Sequence, residues 1–248
     1  MRYSSSYSSS QNRLPKVSVV IPTLNEEANI KCLLQDLHKQ TIRPFEIIVV
    51  DGKSTDKTIK IATSFKDVKT IIVNPDPATQ RTIGGKKTRG ELLFFMDADV
   101  RLKKDFIQNV LQIHQKKQFS VACPFYIPFR SSWIITGMYL FFGTIFYMLQ
   151  KIQPSGAGSC IIVSKQVFAE SGGFNALYRF DDIAFIRNAS WNNKFSYLPI
   201  AVYVSDRRFK KDGVIRTFLL YLLLSLFFFT YQFKLANKIQ YKFDHYKK

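Results

Sequence analysis

Apolar residues fall into two kinds of run along the first hundred positions. Val17 to Ile21 is a continuous β-branched stretch stopped by Pro22, whereas Ile30, Leu33, Leu34 and Leu37 recur at the spacing of one helix face, after helix-start chemistry at Asn25, Glu26 and Glu27. The alternation then repeats. A strand is predicted over Glu46 to Val50, a polar loop over Asp51 to Asp56, a short helix over Thr58 to Phe65, and a strand over Thr70 to Val73. A basic helix or loop over Thr79 to Arg89 and a strand over Leu92 to Met96 complete this half, with Gly84-Gly85 read as a bend. Uninterrupted apolar strands separated by helices predict an α/β fold, a Rossmann-like, mostly parallel sheet with helices on both faces. Further helices are expected over Lys103 to Ile113 and Ile183 to Trp191.

Two of the strands end abruptly in carboxylates, Val50-Asp51 and Met96-Asp97-Ala98-Asp99. Open α/β sheets bind ligands at the carboxyl ends of their strands, which puts nucleotide chemistry first among the functions.

Two uncharged stretches, Ser131 to Gln150 and Thr217 to Phe233, approach the roughly 17 to 20 residues that a membrane-spanning helix needs. Spanning by the first would set the loop carrying Arg207, Arg208, Lys210, Lys211 and Arg216 against the positive-inside rule, so it is expected to lie in the interface or to pack on the domain. A buried core helix describes it equally well. The second has basic residues on both sides, from Arg216 to Lys248, which favours a helix lying at an anionic membrane surface over a single C-terminal span.

Charge points the same way without choosing. The chain carries 36 Lys and Arg against 18 Asp and Glu, a formal net charge of +18, which suits nucleic acid, an anionic membrane or a phosphate-bearing substrate. No base-stacking aromatic motif is evident, so nucleic acid is not an expected partner. Three scattered cysteines, Cys32, Cys123 and Cys160, suggest neither a disulfide framework nor a zinc site and fit a reducing compartment. His38, His114 and His245 are isolated.

Four segments together resemble the inverting family 2 glycosyltransferases of the GT-A fold: Val-Ser-Val-Val-Ile-Pro-Thr-Leu-Asn-Glu-Glu (17–27), Val-Asp-Gly-Lys-Ser-Thr-Asp-Lys-Thr (50–58), Gly-Glu-Leu-Leu-Phe-Phe-Met-Asp-Ala-Asp (90–99), and Gly-Gly-Phe (172–174) with Asp181-Asp182 after it. Their order covers roughly residues 16 to 210. The resemblance implies a nucleotide-sugar half over 16–100 and an acceptor half over 101–212, preceded by a disordered leader (1–15) and followed by a membrane-associated helix and basic tail (213–248).

Chemistry and resemblance then assign candidate residues. Departure of a nucleoside diphosphate is assisted by a divalent cation, and Mg2+ or Mn2+ takes oxygen ligands, a role that Asp97 and Asp99 suit. The resemblance makes Asp99 the direct ligand and lets Asp97 reach the ribose or the metal; capping of the next helix is the competing reading. It also implies that Asp51 contacts the base, with Glu26 and the Pro22-Thr23 backbone near the nucleoside and Asn25 and Ser54 in the same nucleotide-binding loops. Asp56 reads better as a helix cap. A positive side chain of the Arg81, Lys86, Lys87, Arg89 segment is implied to approach the diphosphate, Arg81 first and Lys86 second, against a solvated basic face as the alternative.

An acceptor hydroxyl needs a general base, and Asp182, with Asp181 before it, matches the family's acidic pair; helix capping competes here too. Ser205-Asp206-Arg207-Arg208-Phe209 stands where processive members carry Gln-x-x-Arg-Trp, so only Arg208 matches, and single-sugar transfer is expected, with Arg208 near the diphosphate. Arg207, Lys210 and Lys211 read alternatively as a membrane-facing patch. The expected function is therefore metal-dependent, inverting transfer of one sugar from a nucleotide-diphosphate donor to a hydroxyl acceptor, lipid or lipid-linked, at the cytoplasmic membrane face. A sugar nucleotidyltransferase and a non-enzymatic basic adaptor on a decayed fold are the alternatives.

Overall fold

A computed structural model describes residues 13–178 and 180–229. The predicted leader falls outside them up to residue 12, and Arg13 is already tied down by an ion pair with Glu91.

Seven strands form one sheet: β1 (Val17–Thr23), β2 (Glu46–Asp51), β3 (Val68–Ile72), β4 (Leu92–Met96), β5 (Val121–Pro128), β6 (Cys160–Ser164) and β7 (Phe195–Val204). Their order is β3-β2-β1-β4-β6-β5-β7. Strands β3, β2, β1 and β4 pair in parallel, β6 pairs antiparallel with both β4 and β5, and β5 pairs parallel with β7. One strand thus runs against the other six, and the mostly parallel sheet expected from the sequence is what the chain forms. Every residue of β1, β2 and β4 is buried, which is why those segments read as unbroken apolar runs.

Helices α1 (Ile30–His38), α2 (Thr58–Thr63), α3 (Pro77–Lys87) and α4 (Phe106–Lys117) connect the first five strands. Thr79 to Lys87 of that segment is helical, so the loop or bend expected at Gly84-Gly85 is corrected. A Cβ at Gly84 would lie 2.4 Å from Val20 Cγ1, and one at Gly85 would lie 2.3 Å from the Phe168 ring. The two glycines let α3 lie directly against β1 and the chain after β6, which sets the position of Arg81 on the same helix.

The amino edge of the sheet is locked by one buried acid. Glu46 accepts from Ser18 Oγ, Lys69 Nζ and the Arg89 backbone N–H, while Ser18 Oγ accepts from Gly90 N. Burial alone would push the Glu46 carboxyl up; these donors outweigh it and hold it at about 2.

After β5 come α5 (Trp133–Leu149), α6 (Lys165–Glu170), α7 (Asp181–Ser190), α8 (Arg207–Asp212) and α9 (Val214–Phe229). Helix α5 packs on the domain: Gly143 sits where a Cβ would be 2.9 Å from the Phe125 ring, and Ile135 is buried. Phe142 on α5 meets Phe218 and Tyr221 on α9 at 5.7 and 6.5 Å between ring centroids. No described helix is long and apolar enough to cross a membrane. The single C-terminal span is therefore not supported within the described residues, and Phe233 and the basic tail lie outside them.

Candidate active site at the carboxyl edge of the sheet

A cavity of about 380 Å³ opens at the carboxyl ends of β1 and β4. Pro22 and Glu26 come to it from β1 and the loop that follows, Asp97 and Asp99 from the turn after β4, Arg81 from α3, Asp181 and Asp182 from α7, and Arg207 and Arg208 from α8. Asp99 precedes α5 in sequence and Asp182 follows it, yet both face one cavity. The expectation that α5 does not span is met by that geometry.

Arg81 is the hub. Its Nη2 donates to Asp97 at 2.8 Å and its Nη1 to Asp181 at 3.0 Å, and its buried Nε has no hydrogen-bond partner among the described residues. Burial opposes the charge, but Asp97, Asp181 and Asp182 outweigh it and hold the guanidinium protonated more firmly than usual. Sequence spacing chose Arg81 and Lys86 together, and the helix separates them. Five residues is about 140° past a full turn, so Lys86 is exposed and away from the cavity.

Asp182 stands at the first turn of α7, where its Oδ2 accepts from Gly158 N at 2.7 Å and its Oδ1 from Ile183 N at 2.8 Å. Burial raises its proton affinity, against Arg81 and the two backbone donors. A carboxylate moved upward is better matched to taking a proton near neutral pH. Gly158 belongs to this arrangement because a Cβ there would be 2.8 Å from Arg81 Nη2 and 3.2 Å from Asp182 Oδ2.

On the opposite side, Arg207 bridges Glu26 at 3.2 Å and Asp99 at 3.6 Å. The motif comparison chose Arg208, with a membrane-facing patch of Arg207, Lys210 and Lys211 as the alternative; the structure brings Arg207 and Arg208 to the cavity, and Lys210 and Lys211 do not line it. Asp97 and Asp99 do not cap α4, whose N-cap is Asp105. Burial first, then the charges of Asp97 and Glu26, push the Asp99 carboxyl up to about 7 against the pull of Arg207. That is the state of an acid awaiting positive charge. The donor set is oxygen only, and no group of three metal-ligating side chains converges among the described residues. Asp97 and Asp99 thus fit a magnesium- or manganese-type ion whose remaining ligands are water and phosphate oxygen.

Besides Lys86, four predicted nucleotide contacts, Thr23, Asn25, Asp51 and Ser54, do not line the cavity. Asp51 is fully buried, and its carboxylate accepts from Thr23 Oγ1 at 2.9 Å and from Ser54 N and Oγ at 2.7 and 2.6 Å. Ser54 Oγ in turn accepts from Asn25 N, and Asn25 Oδ1 from Thr55 N. Asn25 tolerates the left-handed φ of 54° that this requires. This cluster braces the loops after β1 and β2. Gln80 completes the brace from α3, donating to the carbonyls of Thr23 and Val50 at 2.7 Å each. Asp56, as expected, is structural: it accepts from Thr58 N and Oγ1 and from Glu27 N.

Comparison with known proteins agrees with this layout. The family model described as glycosyl transferase family 2 matches residues 18–181. An uncharacterised glycosyltransferase of Haemophilus influenzae is 26% identical over 188 residues, 68% of this chain and 60% of the relative. The crystal structure of Staphylococcus aureus TarS 1-349 in complex with UDP-GlcNAc superposes with a TM-score of 0.64 at 23% identity, over 77% of this chain and 58% of that one. A mannosyltransferase from Pyrobaculum calidifontis in complex with GDP-Man and Mn2+ also gives 0.64, at 19% identity, over 79% of this chain and 58% of that one. This chain spans about 60% of the Haemophilus relative's length. The two structural likenesses establish the shared fold, and the family match covers most of the sheet and every acidic residue of the site except Asp182. The chain belongs to glycosyl transferase family 2 and has its GT-A fold.

Proposed function

We propose that the protein transfers one glycosyl unit, with inversion, from a nucleoside diphosphate sugar to the hydroxyl of a lipid or lipid-linked acceptor at the cytoplasmic face of a membrane. The observation that carries the reading is the single cavity in which Asp97 and Asp99, Arg81 and Asp182 face one another. A magnesium or manganese ion held by Asp99, with Asp97 beside it, would neutralise charge on the departing diphosphate. Arg81, whose buried Nε–H has no hydrogen-bond partner among the described residues, would donate to a diphosphate oxygen. Asp182 takes the proton of the acceptor hydroxyl as its oxygen bonds to the anomeric carbon. The bond from that carbon to the diphosphate breaks, and the electron pair leaves with the nucleoside diphosphate. One displacement inverts the centre.

Surface chemistry supports the membrane part. The outward sides of α5 and α9 expose Phe141, Met148, Leu219 and Leu223, while Arg130, Lys151, Lys211 and Arg216 lie along their ends. Apolar surface rimmed by basic groups suits an anionic lipid surface. Free Cys32, Cys123 and Cys160 suit a reducing compartment.

The test is a melting-temperature screen of the detergent-solubilised protein against UDP, GDP, CDP, dTDP and ADP, each with manganese and with a chelator. One diphosphate should stabilise the protein only with metal, Asp99→Ala should erase that shift, and Asp182→Asn should keep it while losing sugar transfer. No shift with any of the five would overturn the reading.

A further inference from the structure

Beyond the carboxylates, the same cavity continues into an apolar arm. Helix α5 turns Met138, Phe142 and Phe146 into it at helical spacing, and Phe209 on α8 with Tyr221 and Leu224 on α9 close the far side. Ring contacts of 5.7 Å (Tyr139 to Phe209) and 5.8 Å (Phe209 to Tyr221) make that wall continuous. The arm is not a separate site. Tyr139, which lines it, is close enough to Asp99 and Arg208 for both to act on its hydroxyl.

A second observation points to a ligand there. Tyr197 is completely buried on β7, lines the cavity, and its hydroxyl has no hydrogen-bond partner among the described residues. A buried phenol normally finds one. An unpaired hydroxyl on a cavity lined by several aromatic side chains is the signature of a partner that arrives with the ligand.

Resting on the glycosyl-transfer reading, we propose that this arm is the acceptor subsite and takes a lipid alcohol: its reacting hydroxyl at Asp182, its apolar chain between α5 and α9, and an oxygen near the chain root accepting from Tyr197. An acceptor hydroxyl must reach Asp182, which lines the same cavity as Met138, Phe142 and Leu224. A sugar or polyol acceptor would bring hydroxyls that Met138, Phe142 and Leu224 cannot satisfy. A chain bearing ester or ether oxygen satisfies both the apolar wall and the lone phenol. The arrangement also gives α5 two apolar sides with different tasks, the outer one against lipid and the inner one against the chain drawn from it.

A 1,2-dioctanoylglycerol carrying an alkyl diazirine, photolysed with the full chain in micelles, provides the test. Adducts mapped by mass spectrometry are expected on Met138, Phe142 or Phe146, to be competed by unlabelled dioctanoylglycerol and to disappear in Met138→Trp, which fills the arm. Tyr197→Phe should raise the half-saturating probe concentration about 5- to 30-fold, the worth of one buried hydrogen bond, and leave the melting temperature unchanged or higher because an unsatisfied hydroxyl has been removed. Adducts confined to the outward residues Phe141 and Met148, or half-saturation unaffected by Tyr197→Phe, would overturn the proposal. Metal-dependent nucleoside diphosphate binding without adducts in the arm would defeat this inference alone; adducts in the arm with no diphosphate binding would defeat the glycosyl-transfer reading instead.

Discussion

Gly158→Ala tests the hub of the site with one methyl group. Because the backbone there is not in the left-handed region, alanine adds volume without conformational strain, and the volume falls 2.8 Å from Arg81 Nη2 and 3.2 Å from Asp182 Oδ2. The first distance is shorter than a real Cβ contact, so the guanidinium end must move. Nη2 is the atom that donates to Asp97 at 2.8 Å. A guanidinium moved off its position no longer meets the diphosphate, and losing the charge-assisted hydrogen bond it would give that ligand costs about 1.5 to 3 kcal/mol, so at about 1.4 kcal/mol per decade the variant should bind a nucleoside diphosphate with manganese roughly 10- to 150-fold more weakly. The fold should hold, since the displaced atom is the end of a flexible side chain; a fall in melting temperature of only a few degrees is expected for a chain of this size. Calorimetric titration reads the first quantity and a thermal scan the second. Diphosphate affinity within twofold of the unaltered protein, with Arg81 displaced in a crystal structure, would refute the assignment of Arg81 to the diphosphate.

Glu46 governs acid stability. Its carboxyl sits at about 2 against an ordinary 4.5, so its contribution, on the order of 3 kcal/mol, is complete above about 4.5 and is lost as pH falls towards 2; Glu46→Gln should remove that acid-dependent slope in urea melts between pH 5 and 2. Asp51→Asn leaves one of the three donors at this buried acceptor without a partner, and should lower stability by about 1 to 3 kcal/mol while leaving the ranking of the five nucleoside diphosphates unchanged; a changed ranking would restore Asp51 as a base contact. Association with the preferred diphosphate should slow as salt rises from 50 to 500 mM, because a chain of net charge +18 steers an anion through a field that salt screens; stopped-flow mixing measures it, and a salt-independent rate would show that steering plays no part.

What the sequence could disclose follows from how each element is buried. Strands β1, β2 and β4 were legible because both faces are covered, so their apolar runs are unbroken and stop at carboxylates. Strands β5 and β7 carried no such signal. Pro124 and Pro128 lie in the first and Pro199 in the second, whereas β6, an apolar run over residues 160–163, shows only in the sheet that it runs antiparallel between β4 and β5. The acidic residues of the cavity were found because their motifs are local. Arg207 was misplaced because its partners, Glu26 and Asp99, are distant in sequence, while its neighbours Lys210 and Lys211 suggested a surface. Gly84, Gly85 and Gly158 matter through the atom they lack, and that can be read only against what lies opposite. The Asp51 cluster shows what a local motif leaves out: it marks the strand end, and the structure adds that the carboxylate there accepts from Thr23 and Ser54 and holds the loop.

Charge distribution ties these parts together. The chain has only 18 acidic residues under a net charge of +18, yet five of them, Glu26, Asp97, Asp99, Asp181 and Asp182, face one cavity with three arginines. At long range the protein attracts an anionic donor; at contact the cavity has more carboxylate than guanidinium and repels it. Arg81 and Arg207 neutralise part of that excess in the ligand-free state, each held between two acids. A diphosphate entering alone would compete with Asp97 and Asp181 for Arg81 and add charge beside Asp99, whose carboxyl is already pushed up to about 7. Entering with a divalent cation, it brings the positive charge that Asp99 lacks and releases Arg207 from its bridge. Under the proposed function this arrangement would select for donor and cation together, and the proposed base, Asp182, is held by two backbone donors rather than by an arginine hydrogen bond.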